Sequence, residues 1–167
     1  KIRNSRGILA GMAVAVLLLA PGQSYPQGQA LKPRLEGPQL VEALRRGGLV
    51  ILMRHMSTDS YVPEAGTHDD QDCASQRNLD ERGRQAAKDV GAAFKSLNIP
   101  VGTVSTSPYC RCVDTGELAF GKGTPSPDLA VFDELPAPEK EARGKLVRKL
   151  LNTAPSAGLN TIIITHT

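Results

Sequence analysis

Two of the three histidines in this chain stand directly after short apolar runs, each in company that could do chemistry. Leu49-Val50-Ile51-Leu52-Met53 is followed by Arg54-His55, and Thr161-Ile162-Ile163-Ile164-Thr165 is followed by His166. Ser107 and Arg111 follow a third run, Val101 to Thr106, and Glu134 follows a fourth, Leu129 to Phe132. A neutral imidazole is a competent nucleophile toward phosphorus, and a guanidinium fork matches phosphate oxygens two at a time. Arg111 falls near the start of a helical stretch, where backbone N–H groups and the helix dipole favour an anion. A carboxylic acid must still protonate the leaving oxygen. Glu134 could do so, with Asp133 as its competitor. Gathered on one rim, these groups would hold a dianionic phosphoryl group without a metal and attack it.

That rim needs strands to build it. Short β-branched runs, apolar on both faces, read as strands buried in a parallel sheet, and ligands of such sheets bind outside the carboxyl ends of the strands. Between the runs lie helical patterns. Gln39 to Arg46 places Leu40, Val41 and Leu44 on one face. Asp80 is an N-cap candidate for a helix in which Ala87, Val90, Ala93, Phe94 and Leu97 recur at helical spacing, stopped by Asn98 and Pro100. Cys112 to Phe120 reads as a helix ended by Gly121. Glu139 to Asn152 reads as another, with Leu146, Val147, Leu150 and Leu151 on one side. The order β-α-β-α-β-α-β predicts an α/β three-layer sandwich, a mostly parallel sheet with helices on both faces. Ser57 to Gln76 has no periodicity and reads as a long polar loop, of a length that is usually either functional or disordered.

The N-terminus is a different kind of segment. Lys1, Arg3 and Arg6 precede a thirteen-residue apolar stretch, Ile8 to Ala20. Gly28-Gln29-Ala30 then offers a small-x-small cleavage site. This is the pattern of a secretory signal peptide over residues 1–30, and it is shorter than the ~20 residues a membrane-spanning helix needs. The expectation is therefore a periplasmic or secreted protein with no stable membrane anchor after cleavage. Lys1 implies a start upstream of the sequence. Without those 30 residues the chain carries seventeen basic against seventeen acidic side chains, with no basic stripe, which argues against a nucleic-acid partner. Residues 31–48 read as linker and short helix, and 49–167 as one domain.

In an oxidising compartment the three cysteines invite pairing. Cys110 and Cys112 are too close in sequence to pair comfortably, which favours Cys73–Cys110 with Cys112 packed or free. The alternative is that all three stay reduced and simply pack.

Taken together, Arg54-His55, Leu79-Asp80-Glu81-Arg82-Gly83-Arg84-Gln85-Ala86, Ser105-Thr106-Ser107-Pro108-Tyr109-Cys110-Arg111 and Thr165-His166 resemble the histidine phosphatase superfamily, the phosphoglycerate mutase-like group, branch 1. The match spans about residues 49–166 in the family's order. With Cys73 and Gln76-Arg77-Asn78, it is most similar to small exported members. The resemblance implies that His55 becomes a phosphohistidine, that Arg54, Arg111 and His166 hold the phosphoryl oxygens, and that Glu134 is the acid. It implies a small phosphorylated substrate and neither metal nor cofactor. The chain departs from the family at Met56, where glycine is usual and permits close backbone approach. It departs again at Thr167, another common glycine. Family domains also continue beyond this point, so the resemblance implies a domain incomplete at its C-terminus.

Blander readings compete at each position. His55 could be a histidine satisfied at a strand end, Arg111 a solvated helix-start arginine and Glu134 a surface acid. Thr67-His68-Asp69-Asp70-Gln71-Asp72-Cys73 contains metal-ligand types, yet its spacing fits no closed site, and a solvated loop at the site mouth is the better reading. The leading expectation is an exported, metal-independent phosphatase acting on phosphomonoesters through His55. A non-catalytic phospholigand-binding module and a phosphoryl-transferring mutase are the alternatives.

Overall fold

The computed structural model describes residues 35–59, 72–131 and 135–166. The compact unit begins at Leu35. Residues 1–34, and with them the expected signal peptide, lie outside the described residues. Among those described, no helix is long and apolar enough to cross a membrane.

Helix α1 (Gly37–Arg46) leads into strand β1 (Val50–Arg54); α2 (Glu81–Ser96), β2 (Val101–Thr106), α3 (Cys110–Phe120), the two-residue β3 (Thr124–Pro125), α4 (Ala137–Leu151) and β4 (Asn160–Thr165) follow. The four strands form one sheet in the order β1-β4-β2-β3. Every pairing is parallel, so the expected α/β class is the observed one. β4, the last strand in sequence, lies between β1 and β2. Its Ile162, Ile163 and Ile164 are almost wholly buried, as a central strand covered on both faces requires. Val104, Cys112, Ile162 and Ile164 form the centre of the core, with Ile51, Met53, Phe94, Val101 and Phe120 packed around them.

Several local expectations need correction. Val101 to Thr106 and the final strand form where the apolar runs place them, but Leu129 to Val131, the described part of the Leu129 to Phe132 run, form no strand. Leu129 closes a 3-10 turn (Pro127–Leu129), and the ladder beside β2 is made earlier, by Thr124 and Pro125. Proline at a sheet edge loses nothing by lacking an N–H, which lets so unpromising a pair serve there. β1 is not buried on both faces: Leu52 is 46% exposed on a strand that, among the described residues, pairs with β4 alone. In α2 the buried stripe is Gly83, Ala87 and Gly91, while Ala93 is exposed. Small residues win that face because the helix lies so close to its neighbours. A Cβ on Gly83 would stand 2.0 Å from the Ser57 carbonyl oxygen, and one on Gly91 2.0 Å from that of Ala119. α4 buries no residue fully, and Leu146 is 42% exposed.

Capping follows the sequence more closely. The Asp80 carboxylate accepts from the Gly83 N–H at 2.6 Å, and Asn98 takes a positive φ of 53° where α2 has stopped. Gly121, in the left-handed conformation, ends α3.

At the edge of the sheet where the strands begin, Asn160 is completely buried and serves three segments. Its Oδ1 accepts from the Leu49 N–H, and its amide donates to the carbonyls of Leu44 and Pro100. α1 is joined to the body further by Arg45 Nε donating to the Leu97 carbonyl at 2.7 Å.

Candidate active site

Because the strands are parallel, the residues just after β1, β4 and β2 emerge side by side. They are His55, His166 and Ser107, with His166 in the middle because β4 is the central strand. The backbone continues the ladder past the strand ends: the His55 N–H donates to the Thr165 carbonyl at 3.1 Å, and that of Ser107 to the Ile164 carbonyl at 2.8 Å. The sheet itself therefore sets the spacing of the two imidazoles, whose ring centroids lie 5.4 Å apart.

His55 is 7% exposed, and its Nδ1 lies 2.8 Å from the Met56 carbonyl oxygen. A carbonyl can only accept, so Nδ1 carries the proton and Nε2 keeps its lone pair. That is the tautomer a nucleophile needs. Met56 is itself held, its N–H donating to Thr115 Oγ1, whose hydroxyl donates in turn to the Arg111 carbonyl. Met56 thus contributes through its backbone, as part of a tie between the strand that ends at His55 and α3.

Arg111 lies in the first turn of α3, which begins at Cys110 rather than Cys112, and its side chain is buried. Nη2 reaches His166 Nδ1 at 3.4 Å, Nη1 the Arg77 carbonyl at 3.4 Å, and the guanidinium stacks 4.5 Å from the Tyr109 ring centroid. With Nδ1 facing a guanidinium that can only donate, His166 carries its proton on Nε2 and donates it to Ser107 Oγ at 2.8 Å. The Cys112 sulfur stands 3.6 Å from the same nitrogen.

Electrostatics keep both rings neutral. Burial and the positive charge of Arg111 push His166 down to about 3, with His55, Arg54 and Arg77 adding to the effect. Burial also lowers His55, partly opposed by its bond to Met56 and reinforced by Arg111, Arg54 and Arg77. Two neutral imidazoles within the influence of three guanidiniums leave a local excess of positive charge, the setting an oxyanion would neutralise.

The structure therefore brings together His55, Arg111 and His166, with Arg54 at the exposed end of β1 near enough to act on both rings. Glu134 and its competitor Asp133 lie outside the described residues, as does the His68 to Gln71 stretch of the polar loop. Cys73 and Cys110 form a disulfide, and Cys112 is a buried cysteine outside that bond. Two contributors escaped the reading from sequence. Ser107 was seen as a strand-exit residue, but not as the acceptor that fixes the tautomer of His166. Arg77 received no role at all, because a cation in an aperiodic segment gives no sign of its direction.

No protein-family model and no curated protein sequence matches the chain. Solved structures do align with it. They include the protein histidine phosphatase SixA complexed with tungstate (16% identity, 70% of this chain and 68% of that one, TM-score 0.42). A protein assigned as the phosphohistidine phosphatase SixA of Agrobacterium tumefaciens aligns at 17% identity over 71% and 68%, TM-score 0.46. A protein assigned as an alpha-ribazole-5'-P phosphatase of Escherichia coli K-12 aligns at 14% identity over 72% and 74%, TM-score 0.42.

Proposed function

We propose that this protein is an exported phosphatase of the histidine phosphatase superfamily, hydrolysing phosphomonoesters through a phosphohistidine on His55. One observation carries the reading: a buried imidazole with its Nε2 lone pair available faces a second neutral imidazole and guanidiniums at the carboxyl edge of a parallel sheet. In the first step a P–N bond forms at His55 Nε2 while the ester P–O bond breaks, and Glu134, or Asp133 beside it, gives a proton to the leaving oxygen. Arg54 and Arg111 hold the other phosphoryl oxygens, with the charge of Arg77 close by, and His166 joins them by turning its Nε2–H from Ser107 to the phosphoryl group. Water then attacks phosphorus, the P–N bond breaks, and the carboxylate takes up the proton that water releases.

The test is a phosphate-release screen over phosphomonoesters with chelator present. Turnover, inhibition by vanadate and an acid-labile phosphoenzyme are expected, and all three should vanish in His55→Ala. Phosphate binding without turnover would make the protein a non-catalytic binding module. Transfer to acceptors faster than release to water would make it a mutase. Chelator-sensitive turnover with no phosphoenzyme would overturn the mechanism.

Export rests on the signal-like residues 1–30 together with the Cys73–Cys110 disulfide, a bond that persists in oxidising compartments. Fractionation of cells expressing the complete gene should find the protein outside the cytoplasm, with a mature N-terminus just after Ala30. A retained leader in the cytoplasmic fraction would count against it.

A further inference from the structure

The Cys73–Cys110 bond does not join two strands or brace the sheet. Cys110 sits between Tyr109 and Arg111, in the same helical turn that presents the buried guanidinium. Cys73 opens the segment that carries Arg77. Around the crosslink the segment is tied to α3 and to itself: Gln76, 4% exposed, accepts the Cys110 N–H on Oε1 at 2.9 Å, Asn78 Nδ2 donates to the Cys73 carbonyl at 2.6 Å, and Arg111 Nη1 reaches the Arg77 carbonyl. The far end has its own anchor. The Asp80 N–H donates to the Ser57 carbonyl, Ser57 Oγ donates to the Asp80 carboxylate, and Thr58 bridges Leu79. Residues 73–79 therefore hang between two supports, one on α3 and one on the loop after His55, with Arg77 between them. Only the first support is covalent.

We propose that the Cys73–Cys110 disulfide is a positioning element of the anion pocket, holding Arg77 and Arg111 in one arrangement so that its reduction weakens phosphoryl binding while the sheet stays folded. The inference rests on the phosphoryl-binding reading above. The co-reactant is a dithiol. Its thiolate attacks the sulfur of Cys73, whose residue is exposed where Cys110 is buried. A mixed disulfide forms, and Cys110 leaves as a thiolate and is protonated. The second thiol of the reductant then displaces Cys73. The reductant ends as a disulfide, and two electrons have passed to the protein. The second anchor stays in place, so the loss is confined to the end of the segment that bears Gln76 and Arg77.

The experiment measures binding of inorganic phosphate by calorimetry to the full chain, oxidised and dithiol-reduced, with far-UV circular dichroism as the check on folding. Binding by the oxidised chain and a loss of about tenfold or more on reduction are expected, the scale of one charge-assisted contact. Arg77→Ala with the crosslink intact should lose a comparable factor, and reducing that variant should add little, since the two changes act through one placement. Turnover should show KM rising with kcat largely kept, which a merely structural bond would not produce. Equal phosphate affinity in the folded oxidised and reduced forms would overturn this inference and leave the phosphatase reading standing. No phosphate binding by the oxidised chain would overturn both. Should reduction unfold the chain, Gln76→Ala, crosslink intact, tests the same placement: weaker phosphate binding supports it, and unchanged binding overturns it.

Discussion

His55 and His166 are neutral chiefly because they are buried, with the guanidiniums around them adding to the effect, which sets the pH behaviour of both. A nucleophilic imidazole is lost when it is protonated. Because the pKa of His55 is lowered from 6.5, the acid limb of kcat/KM is expected below pH 6.5, with activity holding into mildly acidic solution. A limb centred above 6.5 would contradict the burial seen here. Stability follows the same sign. The unfolded chain protonates His166 near 6.5 and the folded chain only near 3, so between those values the unfolded state binds more protons and stability falls as pH falls. Urea titrations at pH 7 and pH 4.5 should show a lower midpoint at 4.5, and His166→Asn should narrow the gap. At this scale the sequence was informative where a polar residue followed an apolar run, because strand ends in a parallel sheet share one edge. It was silent about Arg77, whose approach depends on a crosslink and a turn that no periodicity encodes.

Among the elements, α2 has the least tolerance. Gly83 and Gly91 sit against carbonyl oxygens of Ser57 and Ala119, backbone that cannot step aside as a side chain could. Gly83→Ala and Gly91→Ala are each expected to cost about 1–3 kcal/mol by overpacking, read as a fall in thermal midpoint. Gly83→Ala should also lower kcat/KM, since Ser57 is only two residues from His55, whereas Gly91→Ala should leave it nearly unchanged. The apolar periodicity located this helix and its inward side, for Ala87 is buried and Phe94 packs on the core, but it also counted the exposed Ala93 and passed over the glycines. Close approach, which no hydrophobic pattern encodes, places Gly83 and Gly91 on that face. β3 failed for a related reason: a two-residue ladder of Thr124 and Pro125 has no apolar signature, while Leu129, 1% exposed, earned its burial in a turn.

For the whole molecule, the disulfide closes a separation of 37 residues, a loop that in the chain-entropy model stabilises the fold by about 3–4 kcal/mol. Cys73→Ser/Cys110→Ser is expected to lose about that much in denaturant unfolding, and a loss under 1 kcal/mol would show that the open chain already holds the segment. The α/β class and the parallel order were legible from the alternation of runs and helices. The strand order was not, because what puts β4 between β1 and β2 is contact between residues as distant in sequence as Val50 and Thr161, or Val101 and Asn160.

Asn160 carries a consequence of its own. One side-chain amide fastens the end of α1, the entrance to β1 and the turn before β2, so none of these can fray separately without stranding a buried donor or acceptor. Slow hydrogen exchange at the Leu49 amide should therefore report the opening of the entire domain, although it sits next to two glycines and outside any strand. A peptide N–H in a loop would serve as the gauge of global unfolding.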